Sequence, residues 1–134
     1  MSLNRALFTS ARDTWRTPRA LLQSIIDEFG PLEDPCPGGT SDGLTRDWGA
    51  RCYINPPYGR ELPKWIAKGI VEMDAGRTDL EAWLLPARTD TRWFHDMLMP
   101  RAAEIRFLRG RLYFDDGGGR APFPSMLVIL KRLA

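Results

Sequence analysis

Apolar residues recur at helical spacing in two stretches of the chain and run together in several shorter ones. Leu21, Leu22, Ile25, Ile26 and Phe29 fall on one face of a 3.6-residue period. Thr17 before Pro18 predicts an N-cap followed by proline at the first helical position, and Gly30 predicts the stop. Trp65, Ile66, Gly69, Ile70 and Met73 mark a second helix, opened by Pro63 and followed by Gly76. Cys52-Tyr53-Ile54, Leu80 to Leu85 and Phe123 to Lys131 read as buried strands. Leu32 to Asp34 predicts a strand ending at Asp34, and residues 103–108 and 111–114 predict strand on either side of a break at Gly110. Asp90 is expected to cap a short helix carrying Trp93, Phe94, Met97 and Leu98, which Pro100 stops. Strands alternating with helices define an α/β class, and the last two strands are expected to form an antiparallel pair at the sheet edge. Residues 1–14 show no periodicity and read as an N-terminal arm, leaving 15–134 as a single domain.

The run Cys52-Tyr53-Ile54 enters Asn55-Pro56-Pro57-Tyr58-Gly59, a rigid turn at a strand end. Open α/β sheets bind ligands at the carboxyl ends of their strands. Each proline fixes φ and removes a backbone N–H, and the Asn55 amide adds an acceptor oxygen and two donors. Acceptors converging beside the flat face of Tyr58 suit a planar molecule with an exocyclic amino group, such as adenine. The N6 amine of adenine is a poor nucleophile because its lone pair is delocalised into the ring. The Asn55 oxygen and the Pro56 carbonyl are the natural pair to hold its two hydrogens, favour a pyramidal nitrogen and leave the lone pair free to attack a methyl group. Tyr58 is expected to stack on the base. No strong general base is required; positioning and charge stabilisation carry the step.

Charge adds a partner to this picture. The net charge is +2, yet residues 101–134 hold seven Lys/Arg against three Asp/Glu, and 16 of the 19 basic residues are arginine. Arginine suits bidentate contacts to phosphate and guanine. Arg88, Arg92, Arg111 and Arg120, with Arg5 and Arg12 of the arm, are the candidate nucleic-acid contacts. The two cysteines make no disulfide framework, and the single His95 with no Cys/His cluster gives no metal site. No apolar run approaches membrane-span length and no signal-peptide pattern opens the chain, so the cytoplasm is the expected compartment.

Asn55-Pro56-Pro57-Tyr58 resembles the Asn/Asp/Ser-Pro-Pro-Tyr/Phe motif of amino-methyltransferases. Asp13-x-Trp15-x-Thr17-Pro18, Asp34-Pro35, Asp42-Gly43-Leu44, Trp48, Leu85-Pro86-Ala87-Arg88-Thr89-Asp90-Thr91-x-Trp93-Phe94 and Gly110-Arg111-Leu112-x-Phe114 flank it. Together, over roughly residues 13 to 130, they resemble the small phage-type DNA N6-adenine methyltransferase (Dam) family. That resemblance implies a shortened, Rossmann-like methyltransferase sheet, S-adenosyl-L-methionine as methyl donor, and an adenine flipped out of double-stranded DNA as acceptor. It also implies a donor-binding set of Trp15, Thr17, Pro18, Asp34, Pro35 and Asp42. The glycine loop after Asp34 resembles an Asp-Pro-x-x-Gly-x-Gly-Thr donor loop, but is one residue shorter and has adjacent glycines. Only 18 residues separate Asp34 from Tyr53, too few for the two strands and two helices usual between these motifs. The acid that ordinarily holds the ribose is therefore missing. Asp42 is the candidate to replace it, and Trp48 either covers the adenine or belongs to the core. Two other functions fit the residues: methylation of a glutamine side-chain amide, which the same motif performs, and a nucleic-acid-binding module that has lost catalysis. With so little chain outside the catalytic core, short or relaxed sequence specificity is expected, and a homodimer would double the basic surface.

Overall fold

The computed structural model describes residues 14–114 and 119–132. Helix α1 spans Arg19–Phe29 and helix α2 spans Leu62–Asp74. Strands β1 (Arg51–Ile54), β2 (Leu80–Pro86), β3 (Ala102–Phe107) and β4 (Ser125–Lys131) form one sheet in the order β1-β2-β4-β3. β1 and β2 are parallel, joined by the α2 crossover, and β4 runs antiparallel to both β2 and β3. The predicted terminal antiparallel pair is present, but the last strand lies inside the sheet and β3 takes the edge. A central position explains the uninterrupted apolar run Met126–Leu130, in which every side chain is at most 2% exposed. Each such burial stabilises the fold by about 1.5–3 kcal/mol.

Side chains alternate along the strands and divide the core between two faces. Cys52, Ile54, Trp83, Leu85, Met126, Val128 and Leu130 meet Leu62, Trp65, Ile66 and Met73 of α2. Tyr53, Ala82, Leu84, Leu127 and Ile129 form the opposite face, against Ile25, Leu21, Leu22 and Phe29 of α1. Gly69 lets α2 lie close on β2: a Cβ there would come within 2.5 Å of the Trp83 ring and 2.7 Å of Glu81 Oε1.

Four local expectations change. Thr17 is not a helix cap; Pro18 precedes α1, its carbonyl accepts the first helical hydrogen bond from Leu22, and the Thr17 hydroxyl is engaged elsewhere. Asp90 does not cap the turn Trp93–Leu98, which is π-helical; the Thr91 hydroxyl accepts from the Phe94 N–H at 3.3 Å instead. Among the described residues, 111–114 form no strand, because their pairing is limited to the single bridge Tyr113–Arg120. The strand before Asp34 likewise reduces to one parallel bridge, Glu33 to Cys52, whose two backbone hydrogen bonds still seat Asp34 beside β1.

The segment 42–49 links the glycine loop to β1, and a buried carboxylate anchors it. Glu72 of α2 has no exposed surface and accepts from the Trp48 N–H at 2.5 Å, Arg77 at 2.5 Å and Lys68 at 3.1 Å. The hydrogen bond from Arg77 leads the causes that lower its carboxyl to about 2. Trp48 packs between Trp65 and Trp83 and its indole N–H donates to the Gly43 carbonyl, so it belongs to the core. Neither α1 nor α2 is long and apolar enough to cross a membrane. Among the described residues no group of three or more His, Cys, Asp or Glu is arranged to hold a metal ion.

Candidate active site

A cavity of about 270 Å³ opens where β1 ends, lined by residues 14–17, Leu22, Asp34, Cys36, Gly38, Gly39, Tyr53 and Asn55. Three separate stretches of the sequence build it. Gly39 (φ +80°) brings the glycine loop against residue 14, where a Cβ would lie 2.5 Å from Thr14 Cγ2. Asp34 Oδ1 accepts the Cys36 N–H at 2.8 Å, which folds the loop back beneath it. Asp34 keeps solvent contact, yet desolvation along the pocket wall raises its carboxyl above the ordinary value, against the lowering effects of the Cys36 N–H and Arg46. Burial pushes the Cys36 thiol up to about 12, so it enters the lining as a neutral group.

Asn55 closes the inner end of the cavity. Its Nδ2 donates to the Trp15 carbonyl and, at 3.0 Å, to Thr17 Oγ1, while Oδ1 lies 2.7 Å from the Tyr58 hydroxyl. Thr17 Oγ1 is also 2.6 Å from the Tyr53 hydroxyl, and the Tyr58 hydroxyl is 3.0 Å from the Leu84 carbonyl. The turn before α1, the end of β1 and the interior of β2 thus share one polar network. Desolvation raises both phenols, so Tyr53 and Tyr58 keep their protons.

The predicted residues separate into two groups in space. Trp15, Thr17, Asp34 and Asn55 line one cavity. Pro18, Pro35 and Asp42 are not among its lining residues, and Asp42 is exposed in a 3₁₀ turn. Pro56 is buried and Pro57 half-buried. Tyr58 is only 3% exposed, and its ring meets Phe123 edge-on at 5.6 Å, so it presents no open stacking face in this conformation. Trp15 packs on Phe114 and Phe123 at 5.2 and 5.1 Å. Tyr53 and Phe123 are site components that the motifs do not single out. Strand alternation is the signal for Tyr53, because it turns this side chain to the face opposite Cys52 and Ile54.

The arginines are also sorted. At the end of the sheet where β2 and β3 begin, Arg77, Arg101 and Arg132 pair with Glu72, Asp74 and Asp79 at 2.5–2.8 Å. At the opposite end, the loops beyond β1, β2 and β3 carry Arg60, Arg88, Arg92, Arg109, Arg111 and Arg120, all exposed. Among the described residues, none of these six pairs with a carboxylate. Arg88 lies over the Phe123 ring and Arg120 over Tyr113, each at 5.8 Å. Arg5 and Arg12 lie outside the described residues, as does 115–118 of the glycine-rich loop.

This site sits inside a recognised family. The family model described as DNA N-6-adenine-methyltransferase (Dam) matches residues 38–133, and the chain belongs to that family. Neither the curated proteins nor the solved structures contain a match. Asn55 to Tyr58 and the arginines without carboxylate partners fall within the matched span; Trp15, Thr17 and Asp34 precede it.

Proposed function

We propose that the protein transfers a methyl group from S-adenosyl-L-methionine to the N6 amine of adenine in DNA. The observation that carries this reading is Asn55: its amide stands at the carboxyl end of β1, on the wall of a cavity it shares with Asp34. The lining fits the donor. The Asp34 carboxylate suits an amine or ribose hydroxyls, the Thr17 and Tyr53 hydroxyls add polar contacts, and Trp15 and Leu22 supply apolar surface. When bound, the donor supplies an electrophilic methyl group. The sheet is read as the shortened core of a Rossmann-like methyltransferase.

An amide oxygen accepts two hydrogen bonds. Tyr58 takes one position on Asn55 Oδ1, and the other serves an N6 hydrogen. The Pro56 carbonyl serves the second. Holding both hydrogens concentrates the nitrogen lone pair, and the amine acidifies as it becomes cationic, so its proton leaves to solvent without a dedicated base. An adenine inside stacked DNA cannot reach Asn55, so the base leaves the stack, at a cost of a few kcal/mol. Contacts from Arg88, Arg92, Arg111 and Arg120 to phosphates offset that cost and carry little sequence information.

The test is transfer of labelled methyl from S-adenosyl-L-methionine to unmethylated duplex DNA, followed by nucleoside analysis. N6-methyladenine is the expected product. Donor binding without transfer to any DNA would refute DNA methylation and point to the glutamine-amide reading; absence of donor binding would leave the nucleic-acid-binding module, a reading that the exposed position of Asp42 favours.

A further inference from the structure

The Asn55 amide is oriented by a segment that precedes the span shared with the family. We infer that Thr17 is a positioning residue for methyl transfer, acting through Asn55, and that it ties the acceptor site to the donor cavity. The inference rests on the methyltransferase reading.

An asparagine amide has two ends of similar shape and opposite chemistry. Its direction is read from its partners. The Trp15 carbonyl can only accept, so the end facing it is Nδ2, and Oδ1 is left pointing at the Tyr58 hydroxyl. Turned over, Asn55 would place its oxygen against the Trp15 carbonyl and offer donors where the N6 amine needs an acceptor. The Thr17 hydroxyl is the side-chain group that holds Nδ2 on this side, at 3.0 Å. It also reaches Tyr53 at 2.6 Å, and Thr17, Tyr53 and Asn55 all line the cavity. One hydroxyl therefore touches both the group that meets the acceptor amine and a wall of the donor pocket. This accounts for the position of Thr17: its oxygen is engaged by Asn55 and Tyr53, and α1 begins without a side-chain cap.

The experiment compares wild type with Thr17→Val and Thr17→Ser. It measures donor affinity by calorimetry, single-turnover methyl transfer to duplex DNA, and hydrogen exchange of the Asn55 side-chain NH₂ by nuclear magnetic resonance. Thr17→Val is expected to slow single-turnover transfer at saturating donor about 10- to 100-fold, the scale of removing one buried hydrogen bond at a reacting site; because Thr17 also lines the cavity, donor affinity is measured separately so that any loss of binding does not enter the rate. Exchange of the Asn55 NH₂ should speed up about tenfold or more, and Thr17→Ser should restore both. Unchanged exchange and transfer in Thr17→Val overturns the inference. So does a Thr17→Ser protein as impaired as Thr17→Val, since packing alone would then explain the loss. If Thr17→Val does not fold, Thr17→Ala carries the same comparison. Wild type that transfers no methyl refutes the proposed function, whereas the exchange comparison still decides the role of Thr17.

Discussion

The Tyr58 hydroxyl lies 2.7 Å from Asn55 Oδ1, so the two outer residues of the Asn-Pro-Pro-Tyr turn bind each other. Their contributions are separable. Asn55→Ala removes the proposed amine acceptor and should reduce single-turnover transfer at least about 100-fold while changing donor affinity little. Tyr58→Phe keeps the ring but removes the one phenolic proton that lies between Asn55 Oδ1 at 2.7 Å and the Leu84 carbonyl at 3.0 Å, which should cost about 1–3 kcal/mol of stability in urea unfolding. If the ring alone serves the base, Tyr58→Phe transfers methyl at the wild-type rate; if the hydroxyl fixes Asn55, transfer slows as it does in Thr17→Val.

Asp34 is the charged lining group of the cavity proposed to hold the donor. Asp34→Ala removes a charge-assisted contact of about 1.5–3 kcal/mol, so the donor should bind roughly 10- to 100-fold more weakly by calorimetry. Asp34→Asn keeps the Asx turn to the Cys36 N–H and removes only the charge, so it should weaken binding without loosening the loop.

Two buried glutamates predict opposite pH behaviour. Glu81, with no exposed surface, accepts one hydrogen bond from the Trp83 indole, and its Oε2 has no partner among the described residues. Burial, partly opposed by that bond and by Arg101 and reinforced by Glu72 and Asp74, raises its carboxyl to about 8. A carboxyl raised in the folded state favours folding while protonated. Its contribution is fully present below pH 4.5 and is lost as pH rises to about 8, a change of a few kcal/mol. Glu81→Gln mimics the protonated form, so urea unfolding at about pH 5.5 and about pH 8.5 should show a fall for wild type that the variant lacks. Glu72, held at about 2, contributes above pH 4.5, and that contribution disappears as pH falls toward 2. Glu72→Ala should cost about 3 kcal/mol near neutral pH, at the low end for a buried pair because Arg77 keeps solvent contact.

The sorting of arginines gives a matched control. Alanine at Arg88, Arg92, Arg111 or Arg120 should weaken duplex binding and flatten the slope of log affinity against log salt by about 0.9 for each phosphate that is no longer neutralised. Alanine at Arg101 or Arg132, which pair at the far end, should leave that slope unchanged. Fluorescence anisotropy across a salt series reads both.

Much of the sheet is legible in the sequence because β1, β2 and β4 are buried on both faces and therefore appear as apolar runs. Local pattern does not encode the pairing partner, so the insertion of Ser125–Lys131 between β2 and β3 is hidden. Leu112 and Phe114 alternate like a strand, but both serve the aromatic cluster around Trp15, and among the described residues the segment pairs only through a single bridge to Arg120. The Asn55 motif is legible because prolines restrict the backbone locally. Thr17 misleads because Thr-Pro is a strong local cap signal, whereas its actual partners stand 36 and 38 residues away. Tyr58 suggests an open platform for a similar reason: Phe123, which covers it, arrives from the far end of the chain.

The division of the arginines has a kinetic meaning as well. Arg77, Arg101 and Arg132 are paired with carboxylates at one end of the strands, whereas the exposed arginines of the loops at the other end have no carboxylate partner among the described residues. A polyanion is attracted to unpaired guanidiniums before contact, so encounters are biased toward the end that carries them. On the proposed reading, that bias supplies part of the search that base contacts would otherwise perform. The association rate, far more than the dissociation rate, is then the quantity that ionic strength controls.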